Sequence, residues 1–183
     1  MFAVAATLLV FSIPTPDAHA ALSAALLAEW PSYAAYVISF LTILVIWLNH
    51  HAVLDSIRTL DRPLLLLNGI LLMTVAVIPF PTSLLARYLM AGHYQSTAAF
   101  AYGLTMSGMA VAFTLINVYA KLRHLFTTPF SLLGFSTGQL SYPLATVIAL
   151  FNYQVALVIF AATAIFYMVL PLLRERLLRE SST

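Results

Sequence analysis

The chain has 183 residues, of which 62% are hydrophobic and only 8% are charged, with a formal net charge of +2. A soluble domain has about 45–50% apolar and about 25% charged residues, so this composition excludes a domain whose surface faces water throughout. The absence of cysteine excludes disulfides and thiolate metal sites.

Six apolar segments, all but the first of them long, predict an all-α integral membrane protein. In lipid, the backbone must satisfy its own hydrogen bonds, and continuous apolar runs favour helices over the alternating strands of a barrel. We expect a single transmembrane domain, a six-transmembrane-helix bundle whose first helix is incomplete. The predicted helices cover residues 1–13, 31–53, 63–85, 96–121, 132–150 and 153–173, and a cytoplasmic tail covers 174–183.

The first segment is too short to span a bilayer. Its 13 residues, closed by Pro14 and Pro16, rise only about 20 Å as a helix, against a hydrocarbon core of about 30 Å. One interpretation is a cleaved signal peptide with a cleavage site at 18–20 (Ala-His-Ala), although no basic region precedes it. The other is a spanning helix that lacks its cytoplasmic turn or two, and the spacing leaves both open.

The later segments carry signals of helix ends. Trp30 and Pro31 suit a helix that enters the membrane at the interface. Pro79 and Pro81 indicate a broken end of the third helix, or a discontinuous helix of the transporter type. The fifth segment is weaker because it contains glycines and Pro143.

The basic residues predict the orientation. They follow the second, fourth and sixth segments, which alternation puts on one side of the membrane, whereas Arg87 lies on the other side. The positive-inside rule makes these three linkers cytoplasmic. We therefore interpret the basic residues as topology signals and expect no nucleic-acid partner.

The membrane segments contain no Asp, Glu, Lys or Arg in their interiors. Proton-coupled transporters usually retain such a residue, and an enzyme needs a catalytic constellation, so we expect neither an enzyme nor a cofactor. Asn68 and Asn117 are predicted to hydrogen-bond across helices, and Gly103 with Ser107 forms a small-xxx-small helix contact.

His50 and His51 stand at the predicted cytoplasmic end of the second helix. Two histidines there can cap the last carbonyls, bind a metal or sense protons. Adjacent side chains point about 100° apart on a helix, so one ion cannot easily bind both. We expect a structural role and no metal site.

Three parts of the first half resemble the bacterial potassium channels of the transmembrane protein 175 family. They are residues 2–10; residues 30–40 with the motif Trp47-Leu48-Asn49-His50-His51; and Leu67-Asn68 with Pro79-Phe80-Pro81-Thr82. The second half is similar only in hydropathy and helix count. The resemblance implies a potassium-selective, leak-type channel without the carbonyl-ring filter of ordinary potassium channels. It also implies a homotetramer of six-helix subunits in the bilayer of the bacterial plasma membrane.

The resemblance further implies that the first helix lines the pore, with Val4, Leu8 and Phe11 on the axis and Thr7 beside them. The spacing agrees, because positions i, i+4 and i+7 share one helical face. A hydrophobic constriction gates by dewetting, and a threonine hydroxyl replaces part of the hydration of K⁺. The residues implied to support the pore helix are Trp47, Asn49, His50 and His51.

The Arg…Phe-Ser-Asp motif of the family would precede Phe2, and the chain begins after that point. Together with the short first helix, this leads us to expect that Met1 is an internal start. The alternative is a small multi-pass transporter or structural membrane protein with a cleaved N-terminal signal. An in-frame Arg…Phe-Ser-Asp upstream of the Met1 codon would favour the channel.

Overall fold

The structure, a computed structural model, describes residues 22–127 and 133–180. The predicted first helix, with Val4, Thr7, Leu8 and Phe11, lies outside these residues. The described part is helical, and its helices are α1 (Leu22–Ala28), α2 (Trp30–Asp55), α3 (Arg62–Val77), α4 (Pro79–Ala91), α5 (Gln95–Leu122), α6 (Leu133–Ala149) and α7 (Tyr153–Glu180).

Three stretches of the described chain are long and apolar enough, by length and composition, to cross a membrane. They are Ser32–Asp55, Arg62–Ala91 and Gln95–Leu122. A shorter apolar helix, Tyr153–Val169, belongs to α7. Each long stretch exceeds the roughly 20 residues that a spanning helix requires.

The two prolines after α3 interrupt the helix without ending the span. Proline has no N–H, so each one removes a hydrogen bond from the helical ladder. The carbonyls that lose their usual donors are those of Val75 and Val77, and the amide of Ile78 donates to the Val75 carbonyl at 3.2 Å. α4 continues to Ala91, past residue 85 where the sequence predicted the end of the helix, and Arg87 lies within α4 instead of in a linker. Gly92, with a positive φ of 74°, follows its last turn.

α5 is the central helix of the bundle and packs against α3, α4, α6 and α7. α2 packs mainly against α4 and has only a marginal contact with α7. One face of α2 is buried, with residues at alternating spacings of four and three that include Ile43, Ile46 and His50. This spacing is the stripe expected of a helix with one packed face.

α5, α6 and α7 meet through small residues. A Cβ atom at Gly103 would lie 2.5 Å from Thr146 Oγ1 and 2.7 Å from Phe160 Cζ. Ser107 Oγ lies 2.9 Å from the same Thr146 hydroxyl, which itself donates to the carbonyl of Tyr142. The predicted small-xxx-small contact of Gly103 and Ser107 is therefore confirmed, and its partner is α6.

The linkers that follow α2 and α5 are joined to each other. Ile57 and Phe126 form an isolated antiparallel bridge, in which the amide of Arg58 donates to the carbonyl of Leu125 at 2.8 Å. The amide of Thr127 completes it by donating to the carbonyl of Ser56, also at 2.8 Å. The two linkers therefore lie at the same end of the bundle, as the alternation of basic segments predicted.

A side-chain contact reinforces this end. The hydroxyl of Tyr119 donates to Asp61 Oδ2 at 2.5 Å, while Asp61 Oδ1 accepts from the amide of Leu64 and caps α3. The hydrogen bond from Tyr119 is the main reason that the pKa of the Asp61 carboxyl lies below its usual value. Asp61 therefore joins the start of α3 to the last turn of α5.

Candidate pore-supporting site

The last turns of α2 carry four of the residues predicted to support the pore. Successive side chains on a helix point about 100° apart, so these side chains point in different directions. His50 is buried, with 8% of its surface exposed, whereas Trp47 and His51 are exposed and Asn49 is half-buried. His50 therefore makes one contact and Trp47 with His51 makes another, and the two contacts have different surroundings.

The inner contact is made by His50 and joins three helices. Its Nε2 lies 2.5 Å from Oδ1 of Asn68 on α3, and because the amide oxygen is an acceptor, Nε2 is the donor. The imidazole also meets the ring of Phe113 on α5 edge to face, with ring centroids 6.2 Å apart. His50 thus ties the end of α2 to α3 and α5.

The outer contact runs along the exposed face of α2. The rings of Trp47 and His51 stack with centroids 5.5 Å apart and an angle of 8° between their planes. His51 Nε2 lies 3.3 Å from Asp55 Oδ2, one turn further on. The side chains of His51 and Asp55 are more than half exposed, and such i,i+4 pairs contribute little to stability.

Asn49 lies between these contacts and uses its amide within its own helix. Its Nδ2 donates to the carbonyl of Val45 at 2.8 Å. The amide therefore satisfies a local acceptor, and the side chain joins neither the inner nor the outer contact.

The predictions for Asn68 and Asn117 have different outcomes. Asn68 bonds across helices, as predicted. The prediction was wrong for Asn117, whose Nδ2 donates to the carbonyl of Phe113 in its own helix at 2.8 Å. Its Oδ1 is buried without a hydrogen-bond partner. A polar residue in an apolar helix can bond one turn back, and the sequence alone does not distinguish the two geometries.

Sequence reasoning did not identify Phe113 as a partner of His50. The two residues are 63 positions apart in the sequence, and no spacing rule connects them. The available signal was that Phe113 lies four residues before Asn117, on the face that an interior asparagine would occupy. Long-range contacts of this kind depend on how the helices cross.

The arrangement of these residues is suited to holding helices together and offers little for catalysis or metal binding. His50 and His51 have different partners, in agreement with the predicted divergence of adjacent side chains. Within residues 22–127 and 133–180, no group of three or more His, Asp or Glu residues is placed to hold a metal ion. The inner contact fixes the position of the α2 end against α3 and α5.

Comparison with known proteins identifies the family. A family profile described as endosomal/lysosomal potassium channel TMEM175 matches residues 1–79. A potassium channel of Streptomyces collinus is 38% identical over 177 residues, which cover 91% of this chain and 86% of that protein. This chain belongs to the TMEM175 family. Its predicted resemblance to that family is therefore confirmed, and the family and its curated relatives are ion channels, not enzymes.

Other TMEM175 relatives agree with this result. A potassium channel of Chamaesiphon minutus is 42% identical over 118 residues, which cover 62% of this chain and 57% of that protein. The crystal structure of a lysosomal potassium-selective channel TMEM175 homolog from the same organism superposes with a TM-score of 0.76 and 32% identity, covering 92% of this chain and 90% of that one. The prediction of an all-α membrane protein with the fold of these channels is confirmed.

A second solved structure supports the fold alone. It is a variant of the potassium channel MtTMEM175 in complex with a nanobody fusion protein, with a TM-score of 0.64 and 21% identity, covering 96% of this chain and 89% of that one. The TMEM175 profile spans all eight residues that the sequence assigned to the pore and its support, since these lie before residue 52. Their individual roles remain predictions.

Proposed function

We propose that this protein is the subunit of a potassium-selective, leak-type channel in the bacterial plasma membrane. The observation that carries the proposal is the relationship to the Streptomyces collinus potassium channel over 91% of the chain. The permeant ion is K⁺, and the protein requires no cofactor for conduction. The channel is an oligomer, because one apolar helix cannot enclose a water column and several copies must share it, and the family resemblance implies a homotetramer.

The first segment lines this pore. Val4, Leu8 and Phe11 form a hydrophobic constriction on one helical face, and the hydroxyl of Thr7 replaces part of the hydration of the ion. These residues lie outside the described part of the chain, so the support for their role is their spacing and the family profile that includes them.

The end of α2 supports the pore helix. Four residues lie within a turn and a half of this helix, namely Trp47, Asn49, His50 and His51. His50 in particular is held by Asn68 and Phe113, and this buried contact gives the neighbouring helix a fixed surface. The end of α2 can support the pore helix only if it is held rigidly, and a hydrogen bond between helices in lipid provides that rigidity.

The proposed orientation places the joined linkers in the cytoplasm, together with the tail at 174–183. Arg58 and Arg123 belong to these linkers, and the bridge between Ile57 and Phe126 holds them at one end of the bundle. The excess of basic residues at this end favours the cytoplasmic side.

Ion flux from proteoliposomes tests the proposal. The wild-type protein is expected to release K⁺ down its gradient and to pass Na⁺ much more slowly. Leu8→Asn is expected to increase K⁺ flux severalfold, because a polar side chain keeps water in a constriction that would otherwise dewet. Leu9→Asn is the matched control, since it introduces the same side chain about 100° away from the predicted pore face.

The controls separate the two parts of the proposal. Folded wild-type protein without K⁺ flux would overturn the channel function. If Leu9→Asn changes K⁺ flux and Leu8→Asn does not, the protein is still a channel. The assignment of Leu8 to the pore face would then be wrong. Circular dichroism of each reconstituted variant normalises flux to folded protein.

A further inference from the structure

The bridge between Ile57 and Phe126 brings two basic segments together. The amide of Arg58 donates to the carbonyl of Leu125, and the amide of Leu125 donates to the carbonyl of Ala120 at 2.9 Å. These hydrogen bonds hold the linker after α2 against the last turn of α5, although the two segments are far apart in the sequence. We call the four cations of these segments the basic junction, and they are Arg58, Arg62, Lys121 and Arg123.

Three cations of the basic junction have no carboxylate partner. Their side chains are exposed, and among the side chains that the structure describes, no carboxylate lies within salt-bridge distance of Arg58, Arg62 or Lys121. The fourth cation, Arg123, lies near Asp61, whose pKa is lowered by the hydrogen bond from Tyr119 and also by the charge of Arg123. Four cations therefore share this end of the bundle with few carboxylates, and three positive charges are left without a neighbouring negative charge.

Two exposed leucines accompany these cations. Leu60, in the linker after α2, is 55% exposed and has a junction cation two residues away on either side. Leu122, at the end of α5, is 73% exposed and stands directly between two junction cations. Leucine gains free energy when it leaves water for an apolar environment. Each segment therefore presents an apolar side chain that is flanked by positive charge.

The basic junction lies at the level of the lipid headgroups. The apolar stretch Ser32–Asp55 ends just before it, Arg62–Ala91 begins in it and Gln95–Leu122 ends in it. Because a spanning stretch is apolar across the hydrocarbon core, its terminal residues reach the interface. Arginine and lysine side chains at such positions extend towards the headgroups, while their methylene groups stay in the apolar layer.

We propose that the basic junction binds the phosphate of an anionic phospholipid, with Leu60 and Leu122 in contact with its acyl chains. An arginine guanidinium forms paired hydrogen bonds to phosphate oxygens, and a lysine ammonium adds a compact positive charge. A zwitterionic phospholipid carries a positive group beside its phosphate, so it is less complementary to this surface. The proposal is independent of the channel function, because lipid binding requires no conduction.

Other occupants fit this surface less well. The tail at 174–183 lies at the same end of the bundle in the proposed orientation, but it contains three arginines and two glutamates, so its net charge has the same sign as the junction. A nucleic acid has phosphates and no acyl chains for the two leucines. An anionic phospholipid has both the negative group and the apolar group that the surface requires.

Native mass spectrometry tests the proposal without any measurement of ion flux. The purified full-length protein in detergent is given equal amounts of phosphatidylglycerol and phosphatidylcholine with identical acyl chains, and the bound lipids are counted. The wild type is expected to bind phosphatidylglycerol in severalfold preference. Failure of this test would leave the channel proposal unaffected, since that proposal is tested by K⁺ flux.

Matched variants locate the site. Arg58→Gln is expected to lower the preference for phosphatidylglycerol severalfold, and Arg58→Lys is expected to retain most of it. The bridge uses the backbone of residue 58, so both variants keep the junction assembled. Arg87→Gln removes the same charge from an exposed position in α4, at the other end of the bundle, and is expected to leave the preference unchanged. Absence of a preference in the wild type, or an equal loss in Arg58→Gln and Arg87→Gln, would overturn the proposal.

Soluble competitors test whether the acyl chains contribute. Glycerol 3-phosphate, which has the phosphate without the chains, is expected to displace phosphatidylglycerol only at a far higher concentration. Leu122→Ser is expected to weaken phosphatidylglycerol binding severalfold, because it removes the apolar contact and keeps the charges. Displacement by glycerol 3-phosphate or by a short RNA at concentrations equal to that of the lipid would overturn the assignment to a phospholipid.

Discussion

α5 is held to the two halves of the bundle by contacts of different kinds. Near the last turns of α5, the ring of Phe113 contacts the imidazole of His50, which is itself hydrogen-bonded to Asn68. About 15 Å nearer its start, Gly103 lies directly against Thr146 and Phe160, with no space for a methyl group. The first contact depends on a directional hydrogen bond, and the second depends on the absence of a side chain.

The difference follows from lipid as a solvent. Lipid tails are as apolar as the helices, so the hydrophobic effect does not drive helices together within the membrane. Helices in lipid are held together instead by close packing and by interhelical hydrogen bonds. In this bundle, each of these two kinds of contact lies on a different side of α5. The shape-based contact should therefore be the less tolerant of added volume, and the polar contact should be replaceable at a moderate cost.

The largest effect is expected for Gly103→Ala. The added Cβ would lie 2.5 Å from Thr146 Oγ1 and 3.1 Å from Thr146 Cα, so the backbone of α6 must move. Overpacking of this kind typically costs about 1–3 kcal/mol. The free energy of unfolding, measured by circular dichroism in mixed micelles, should fall by that amount.

Gly69→Ala is the matched control for this comparison. A Cβ atom at Gly69 has no neighbour within 4 Å, and alanine favours a helix interior by up to about 1 kcal/mol over glycine. This variant should be as stable as the wild type or slightly more stable. Equal destabilisation by both substitutions would contradict the close contact at Gly103.

An intermediate effect is expected from the inner contact of His50. A double-mutant cycle with His50→Ala and Asn68→Ala should give a coupling energy of about 0.6–2 kcal/mol, the range for interhelical hydrogen bonds in membranes. The same cycle with His51→Ala and Asp55→Ala should give no more than about 0.5 kcal/mol, because that pair is exposed to solvent. Equal coupling in the two cycles would remove the distinction between the inner and outer contacts.

The smallest effect is expected from Tyr119→Phe, and it should depend on pH. The folded-state pKa of Asp61 is lowered by Tyr119, so the contact stabilises fully above the unfolded-state pKa of about 3.9. This stabilisation is lost as the pH falls through the lower, folded-state pKa. Thermal unfolding temperatures of wild type and variant should therefore differ at pH 7 and converge in acid. Tyr153→Phe, at the opposite end of the bundle, is the control, and a difference that persists unchanged in acid would contradict the role of Asp61.

Hydropathy predicted the helical class because each span must be apolar over its whole length. It placed the end of the third helix at residue 85, with Pro79 and Pro81 as a broken end of that helix, whereas α4 continues to Ala91. In the structure the break falls between Val77 and Pro79, and the two helices form one apolar stretch, Arg62–Ala91. The family motifs identified His50, and the polarity of Asn68 predicted a cross-helix bond. The partnership of His50 with Phe113 depends on the angle at which the helices cross, and periodicity along one helix contains no such information.

The bridge between Ile57 and Phe126 has a mechanical consequence. Two backbone hydrogen bonds hold the ends of α2 and α5 together, so a tilt of α2 must pivot near this junction. His50 lies about 10 Å from the pivot, whereas Trp30 lies about 40 Å from it along the helix. The same angular change would displace Trp30 about four times as far. Spin labels near Trp30 should therefore report the motion of α2 with far greater amplitude than labels near His50.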